Sequence, residues 1–125
     1  MKSRLITQES LSDVAWDDEY FKFCEFKNFS IDMESVSSDF VTCNFIELDW
    51  YWGFFTLANF IQCKFENCTF RGSSFSGARF YECEFTNCHF VKDNLDGECC
   101  FDDALAYGCK VTKCEGFNVP SLCPA

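Results

Sequence analysis

Residues 60–90 read FIQCKFENCTFRGSSFSGARFYECEFTNCHF, and a phenylalanine falls on every fifth position of that stretch. The same frame takes in Phe40, Phe45, Trp50, Phe55, Phe60, Phe65, Phe70, Phe75, Phe80, Phe85, Phe90 and Leu95, twelve bulky apolar residues without a miss. Two residues before each centre stands a smaller one: Ser38, Cys43, Leu48, Gly53, Ala58, Cys63, Cys68, Ser73, Ala78, Cys83, Cys88 and Asp93. A period of five matches neither the 3.6 of a helix nor the alternation of a strand. The small residue and the centre are two apart, so both point to one side of a very short extended segment. The chain must then turn a corner to bring the next small residue inward, and a chain that turns at every repeat coils on itself.

The small positions set the length of the coil. Cys43, Cys63 and Cys83 are spaced by 20, as are Cys68 and Cys88, and Ala58 and Ala78. Four repeats per turn stack each set in a column and put the large side chains along the axis of a square tube. Upstream, Phe21, Phe26, Ile31 and Val36 keep the period one residue out of phase, with Cys24 over Cys43 and Phe29 over Leu48. Downstream, Phe101, Ala106 and Val111 keep it after one inserted residue near Asn94–Glu98, which would set Cys109 in the column of Cys68 and Cys88. Both slips read as local loops or bulges at corners.

On these residues the chain resembles the pentapeptide-repeat family, whose repeats carry a small residue two before a central Leu or Phe. The resemblance covers residues 19–117 and implies an all-β fold, a right-handed quadrilateral β-helix of about five coils. At the usual strand spacing the rod would be about 24 Å long. Here the centres prefer Phe over Leu, and Cys is unusually frequent at the small position. Open coil ends expose strand edges and core, so they need caps. Residues 1–18 are the expected N-terminal cap, with Ser12 starting a short helix and Leu11 and Trp16 as apolar cover. The tail from Phe117 through Cys123 is the expected C-terminal cap, with residues 118–125 as its own segment.

Composition narrows the function. The chain has 125 residues, room for one domain. Its net charge of −10 excludes a basic nucleic-acid groove. No apolar run is long enough for a membrane helix, and the first residues lack the apolar core of a secretory signal. Eleven cysteines would suggest disulfides or metal elsewhere. Nine of them (Cys24, Cys43, Cys63, Cys68, Cys83, Cys88, Cys99, Cys109 and Cys114) occupy the small inward position, where Cys acts as a small apolar residue. Cys100 and Cys123 are the expected exposed thiols. The sole histidine, His89, should point outward, so neither zinc nor any other cofactor is expected. An odd number of free buried thiols fits a reducing cytoplasm.

A tube filled with phenylalanine has no interior pocket, and one histidine makes no nucleophilic triad, so no catalytic residues are assigned. Function then lies on the outer walls. Val41, Ile61 and Tyr81, each following a centre, stack as an apolar column, with Tyr51 and Trp52 near an adjacent corner and Asp39, Glu47 and Asp49 close by. Such a strip suits a protein partner or a second copy in a homodimer. It also suits strand propensity alone. Three readings follow: an interaction module such as an immunity or regulatory factor, a gyrase-binding protein, and a scaffold whose caps act. The second comes from the resemblance, since some family members mimic B-DNA, bind DNA gyrase or topoisomerase IV, and protect them from quinolones or peptide toxins. The charge distribution fits that reading less well. Residues 1–59 carry −7 and residues 93–125 carry −4, but residues 60–92 carry +1.

Overall fold

The computed structural model describes residues 2–119 and 121–122. Its strands are nearly all three residues long, because each contains one inward centre and its two outward neighbours. In chain order they are β1 (Leu5–Ile6), β2 (Tyr20–Lys22), β3 (Glu25–Lys27), β4 (Ser30–Asp32), β5 (Asp39–Val41), β6 (Asn44–Ile46), β7 (Asp49–Tyr51) and β8 (Asn59–Ile61). There follow β9 (Lys64–Glu66), β10 (Thr69–Arg71), β11 (Arg79–Tyr81), β12 (Glu84–Thr86), β13 (His89–Val91), β14 (Leu105–Tyr107), β15 (Lys110–Thr112) and β16 (Ser121–Leu122). All pairing is parallel. The first face stacks β2-β5-β8-β11-β14-β16, the second β1-β3-β6-β9-β12-β15, and the third β4-β7-β10-β13. A fourth face is held by single bridges that join Ser35, Phe54, Ser74 and Cys100 in turn. There the chain turns tightly instead of running on, with Ala58 and Ala78 donating to the carbonyls of Phe55 and Phe75.

The corners have a common cause. Two residues after most centres the backbone enters the left-handed region: Thr42 (φ 52°), Glu47 (53°), Trp52 (55°), Leu57 (60°), Gln62 (53°) and Asn67 (55°) show the run through the middle of the rod. Each such corner presents its N–H to the next coil, as when Thr42 donates to the Ile61 carbonyl and Gln62 to the Tyr81 carbonyl, both at 2.8 Å. The left-handed turn strains side-chain-bearing residues. The ladder bond and the burial of the following centre offset that strain at every repeat.

Inside, the rings form columns. Phe45, Phe65 and Phe85 stack with centroids 4.6 Å apart and planes within 7° of parallel. Phe40, Phe60 and Phe80 stack at 5.0 and 5.1 Å. Neighbouring columns meet edge to face, as Phe60 and Phe65 do at 5.4 Å. Both geometries suit the ring quadrupole. All eleven expected centres from Phe40 to Phe90 are buried, with Cys43, Cys63, Cys68, Cys83 and Cys88 beside them. Trp50 takes the place of a phenylalanine beneath Phe70.

Four complete coils are followed by three faces of a fifth. Phe21 lies under Phe40, Phe40 under Phe60 and Phe60 under Phe80, so the first coil has 19 residues and the next two have 20. The fourth differs from expectation. Phe80 pairs with Ala106, which makes it 26 residues long. The insertion is six residues and not one. Leu95, counted among the centres, is 78% exposed at the tip of this excursion. Cys109 follows Cys83 and not Cys88, since its Sγ donates to the Phe80 carbonyl as that of Cys83 donates to the Phe60 carbonyl. The reason is arithmetical: insertions of one and of six leave the same phase in a five-residue period, and only the stacking distinguishes them.

The ends are closed by rings. At the N-terminal end Trp16 lies 5.7 Å from Phe26 and 5.4 Å from Trp50. The short helix there is a 3-10 turn over Gln8–Asp13 capped by Thr7, not a helix starting at Ser12. Ser10 Oγ accepts the Thr7 N–H at 2.9 Å, a better-placed cap than Ser12 provides. Gln8 uses its side-chain amide as a surrogate peptide: it accepts from the Ser30 N–H at 2.9 Å and donates to the Ser30 carbonyl at 3.3 Å, covering the open edge of β4. At the C-terminal end Phe117 lies 4.5 Å from Phe85 and 5.2 Å from Phe90. Gly116 (φ 78°) lets the chain turn in over the end, where a Cβ would run into the Phe90 carbonyl oxygen. Pro120 and Cys123 lie outside the described residues.

Candidate functional site

With the interior filled, the outward neighbours of the centres are the chemistry the rod offers. On the first face they form two columns in register. One is Lys22, Val41, Ile61, Tyr81 and Tyr107; the other is Tyr20, Asp39, Asn59, Arg79 and Leu105. The three apolar residues named from the sequence therefore do lie together. Tyr107 joins them, its ring stacked on Tyr81 at 5.1 Å and 7°. The sequence hid Tyr107 because the six-residue excursion breaks the spacing of 20. Asp39 stands on the same face, where its Oδ1 accepts from Asn59 Nδ2 at 2.8 Å. Arg79 Nη1 donates to three backbone carbonyls, of Gly77, Ala78 and Asp103. Among the described residues no carboxylate lies within ion-pair distance of it.

The other expected contact residues lie elsewhere. Tyr51 belongs to the third face and Trp52 to the corner that follows it, and both hold the excursion. Trp52 Nε1 donates to Asp93 Oδ2 at 2.6 Å, and Tyr51 Oη accepts the Asn94 N–H at 2.7 Å. Asp93 Oδ1 also accepts the N–H groups of Leu95 and Gly97, so one carboxylate ties the loop to the rod. The Trp52 indole, then the Gly97 N–H, hold this carboxyl below the usual aspartate range. Gly72 (φ 55°) leaves the room in which Asp93 sits. Asp49 pairs with Arg71 Nε at 3.3 Å on the third face. Glu47 stands at the corner between the second and third faces and is exposed. The eight residues thus divide over three sides of the rod, and the first face alone keeps a continuous apolar column.

Most of the cysteines line two inner corners, while Cys99 follows Ser73 in a third. Cys43, Cys63 and Cys83 donate their S–H to the carbonyls of Phe21, Phe40 and Phe60, and Cys68 and Cys88 to those of Phe45 and Phe65, at 3.2–3.4 Å. Burial pushes Cys24, Cys63 and Cys99 above the ordinary thiol range, which keeps them as donors. Among the described residues no disulfide joins two cysteines, and Cys100, expected to be exposed, is half-buried. Among the described residues no group of three or more His, Cys, Asp or Glu is arranged to hold a metal ion. His89 sits on the third face with Nδ1 2.7 Å from Glu115 Oε1. Among the described residues no helix is long and apolar enough to cross a membrane.

No match was found among curated proteins. The family model described as pentapeptide repeats (9 copies) matches residues 55–96. Those residues run from the centre Phe55 into the excursion, and the same corners and columns continue on either side of them. Over residues 55–96 the chain matches the pentapeptide-repeat family.

Proposed function

We propose that this protein works by binding another protein chain and not by catalysis, in the manner of an immunity or regulatory factor, and that its docking surface is the stripe Val41–Ile61–Tyr81–Tyr107. What carries the reading is the register: four apolar outward side chains in succession on one face, flanked by charged and polar neighbours. A contiguous apolar strip with a polar rim is the anatomy of a binding surface. Aromatic anchors near its middle are where binding energy concentrates. The filled core supports the non-catalytic part of the reading, since it leaves no enclosed cleft among the described residues. The free thiols fit a reducing compartment, and we read the location as cytoplasmic.

The reading as a DNA mimic directed at gyrase or topoisomerase draws less support. Along the second face the outward column reads Glu25, Asn44, Lys64, Glu84 and Lys110, so the sign alternates where a phosphate backbone would keep one sign. The test is affinity capture from extracts of the source organism with wild type and Ile61→Asp as parallel baits, followed by rebinding of the purified candidate. A partner that binds wild type and loses at least about tenfold in affinity with the variant supports the reading. Equal binding to both, or no partner that rebinds, overturns it.

A further inference from the structure

We infer that the first face docks a second copy of this chain, with the two rods antiparallel and the two-fold axis running along β8. The inference rests on reading this face as a docking surface and names the occupant. It comes from the order of charges and apolar groups in the two outward columns. In one column Asp39 stands one coil below Asn59 and Arg79 one coil above it. In the other, Val41 and Tyr81 flank Ile61 in the same way.

A two-fold axis along β8 reverses the order of coils and keeps each column opposite its own kind. Asp39 then faces Arg79 of the second copy, and Arg79 faces Asp39 of the second copy. Val41 meets Tyr81 of the second copy, Ile61 meets its own equivalent, and Asn59 meets its own equivalent. At the far ends Lys22 faces Tyr107 of the second copy, a cation above an aromatic ring. The other isologous packing, with the axis along the rod, puts Asp39 against Val41 of the second copy and leaves the carboxylate buried on an apolar group. The side chains are also prepared for the first arrangement. Arg79 uses Nη1 on backbone carbonyls and has no carboxylate partner among the described residues. Asp39 uses Oδ1 on Asn59 and keeps Oδ2 open.

The size of the face sets the strength. Five strands at about 4.8 Å and three residues at about 3.3 Å give a footprint of about 24 by 10 Å. Two such footprints come to about 480 Å², about half of the roughly 1,000 Å² that a stable specific interface needs, so the dimer is a weak one, populated in the micromolar range and above.

The test is sedimentation equilibrium of the full chain from about 5 μM to about 1 mM. Wild type should move from monomer towards dimer across that range. Asp39→Arg and Arg79→Asp should each weaken association at least about tenfold, and the double swap should restore it to within about threefold of wild type. Circular dichroism of each variant establishes folding. Should Arg79→Asp fail to fold, Asp39→Arg and Ile61→Glu, both on outward positions, carry the test, and each must weaken association. Wild type that stays monomeric to about 1 mM overturns the inference, as does a folded double swap that fails to restore association. If wild type stays monomeric while an Ile61-dependent protein partner is still captured, the occupant is wrong and the docking surface stands. If the dimer forms and no other partner is found, the docking surface and its occupant both stand, and the reading of a different protein partner falls.

Discussion

Leu95 and Phe65 occupy equivalent places in the five-residue frame, and the structure separates them completely, so truncating each to alanine is a direct test of the coil. Phe65 is 2% exposed and lies between Phe45 and Phe85, each 4.6 Å away and nearly parallel, with Phe60 edge-on at 5.4 Å. Removing such a ring loses its transfer free energy and leaves a cavity, together about 3–5 kcal/mol. The two stacked contacts put the expected value towards the upper half of that range. For a chain of this size each kcal/mol moves the melting temperature by about 3–4 °C, so Phe65→Ala should melt about 12–20 °C below wild type. Leu95 is 78% exposed, and the loop beneath it is held through Asp93 and not through the leucine side chain. Leu95→Ala should therefore stay within about 0.5 kcal/mol of wild type. Urea unfolding followed by circular dichroism reads both. A loss above about 1.5 kcal/mol for Leu95→Ala would mean that the leucine fills the tube, that the coil keeps its 20 residues there, and that the six-residue excursion is wrong.

Two further outcomes follow from single positions. Thr42 is β-branched and holds φ 52° at an exposed corner, so Thr42→Asn should stabilise the chain by about 0.5–1 kcal/mol, read as a higher urea midpoint at unchanged slope. The Asp93 carboxyl is held below its ordinary range by the Trp52 indole and the Gly97 N–H; its contribution is complete above the unfolded value near about 4 and is lost as pH falls through the lower folded value. Asp93→Asn should accordingly flatten the acid limb, with a smaller drop in melting temperature between pH 6 and pH 3 than wild type shows.

The periodic part of the chain was legible because each repeat repeats its physics. A small residue, a large apolar residue and a corner recur, and the spacing of equal small residues reveals the length of a turn. Cys43, Cys63 and Cys83 were enough to stack the coils, and Phe21 over Phe40 followed from a slip of one. What sequence could not show was anything equal modulo five. The six-residue excursion shifts the phase by one, as a single inserted residue would, so it concealed the exposure of Leu95, the true column of Cys109 and the stacking of Tyr107 on Tyr81. Tyr51 and Trp52 looked free for the same reason: the groups they bind, Asn94 and Asp93, lie 43 and 41 residues away across that excursion. The N-terminal segment was misread on other grounds. Ser12 is a good capping residue by type, but Thr7 and Ser10 cap each other and Gln8 reaches the edge of β4, contacts that depend on the coil being there already.

The division between wall and interior also explains why these surfaces can be read column by column. Each coil places one centre per face inside, so every outward residue has neighbours fixed by the coils above and below, not by its neighbours in sequence. A surface on this rod is then a list of residues about 20 apart. The third face has spent its aromatic pair on holding a loop and its Asp49 on Arg71. The second face alternates in sign. The first face alone combines an unbroken apolar column with a charged pair, Asp39 and Arg79, placed symmetrically about its middle strand and unpaired with each other. That arrangement does little for the stability of the isolated rod, since an arginine bonded only to backbone carbonyls leaves its charge uncompensated. It becomes favourable when a surface of opposite order is laid against it, and the nearest surface with that order is the same face turned over.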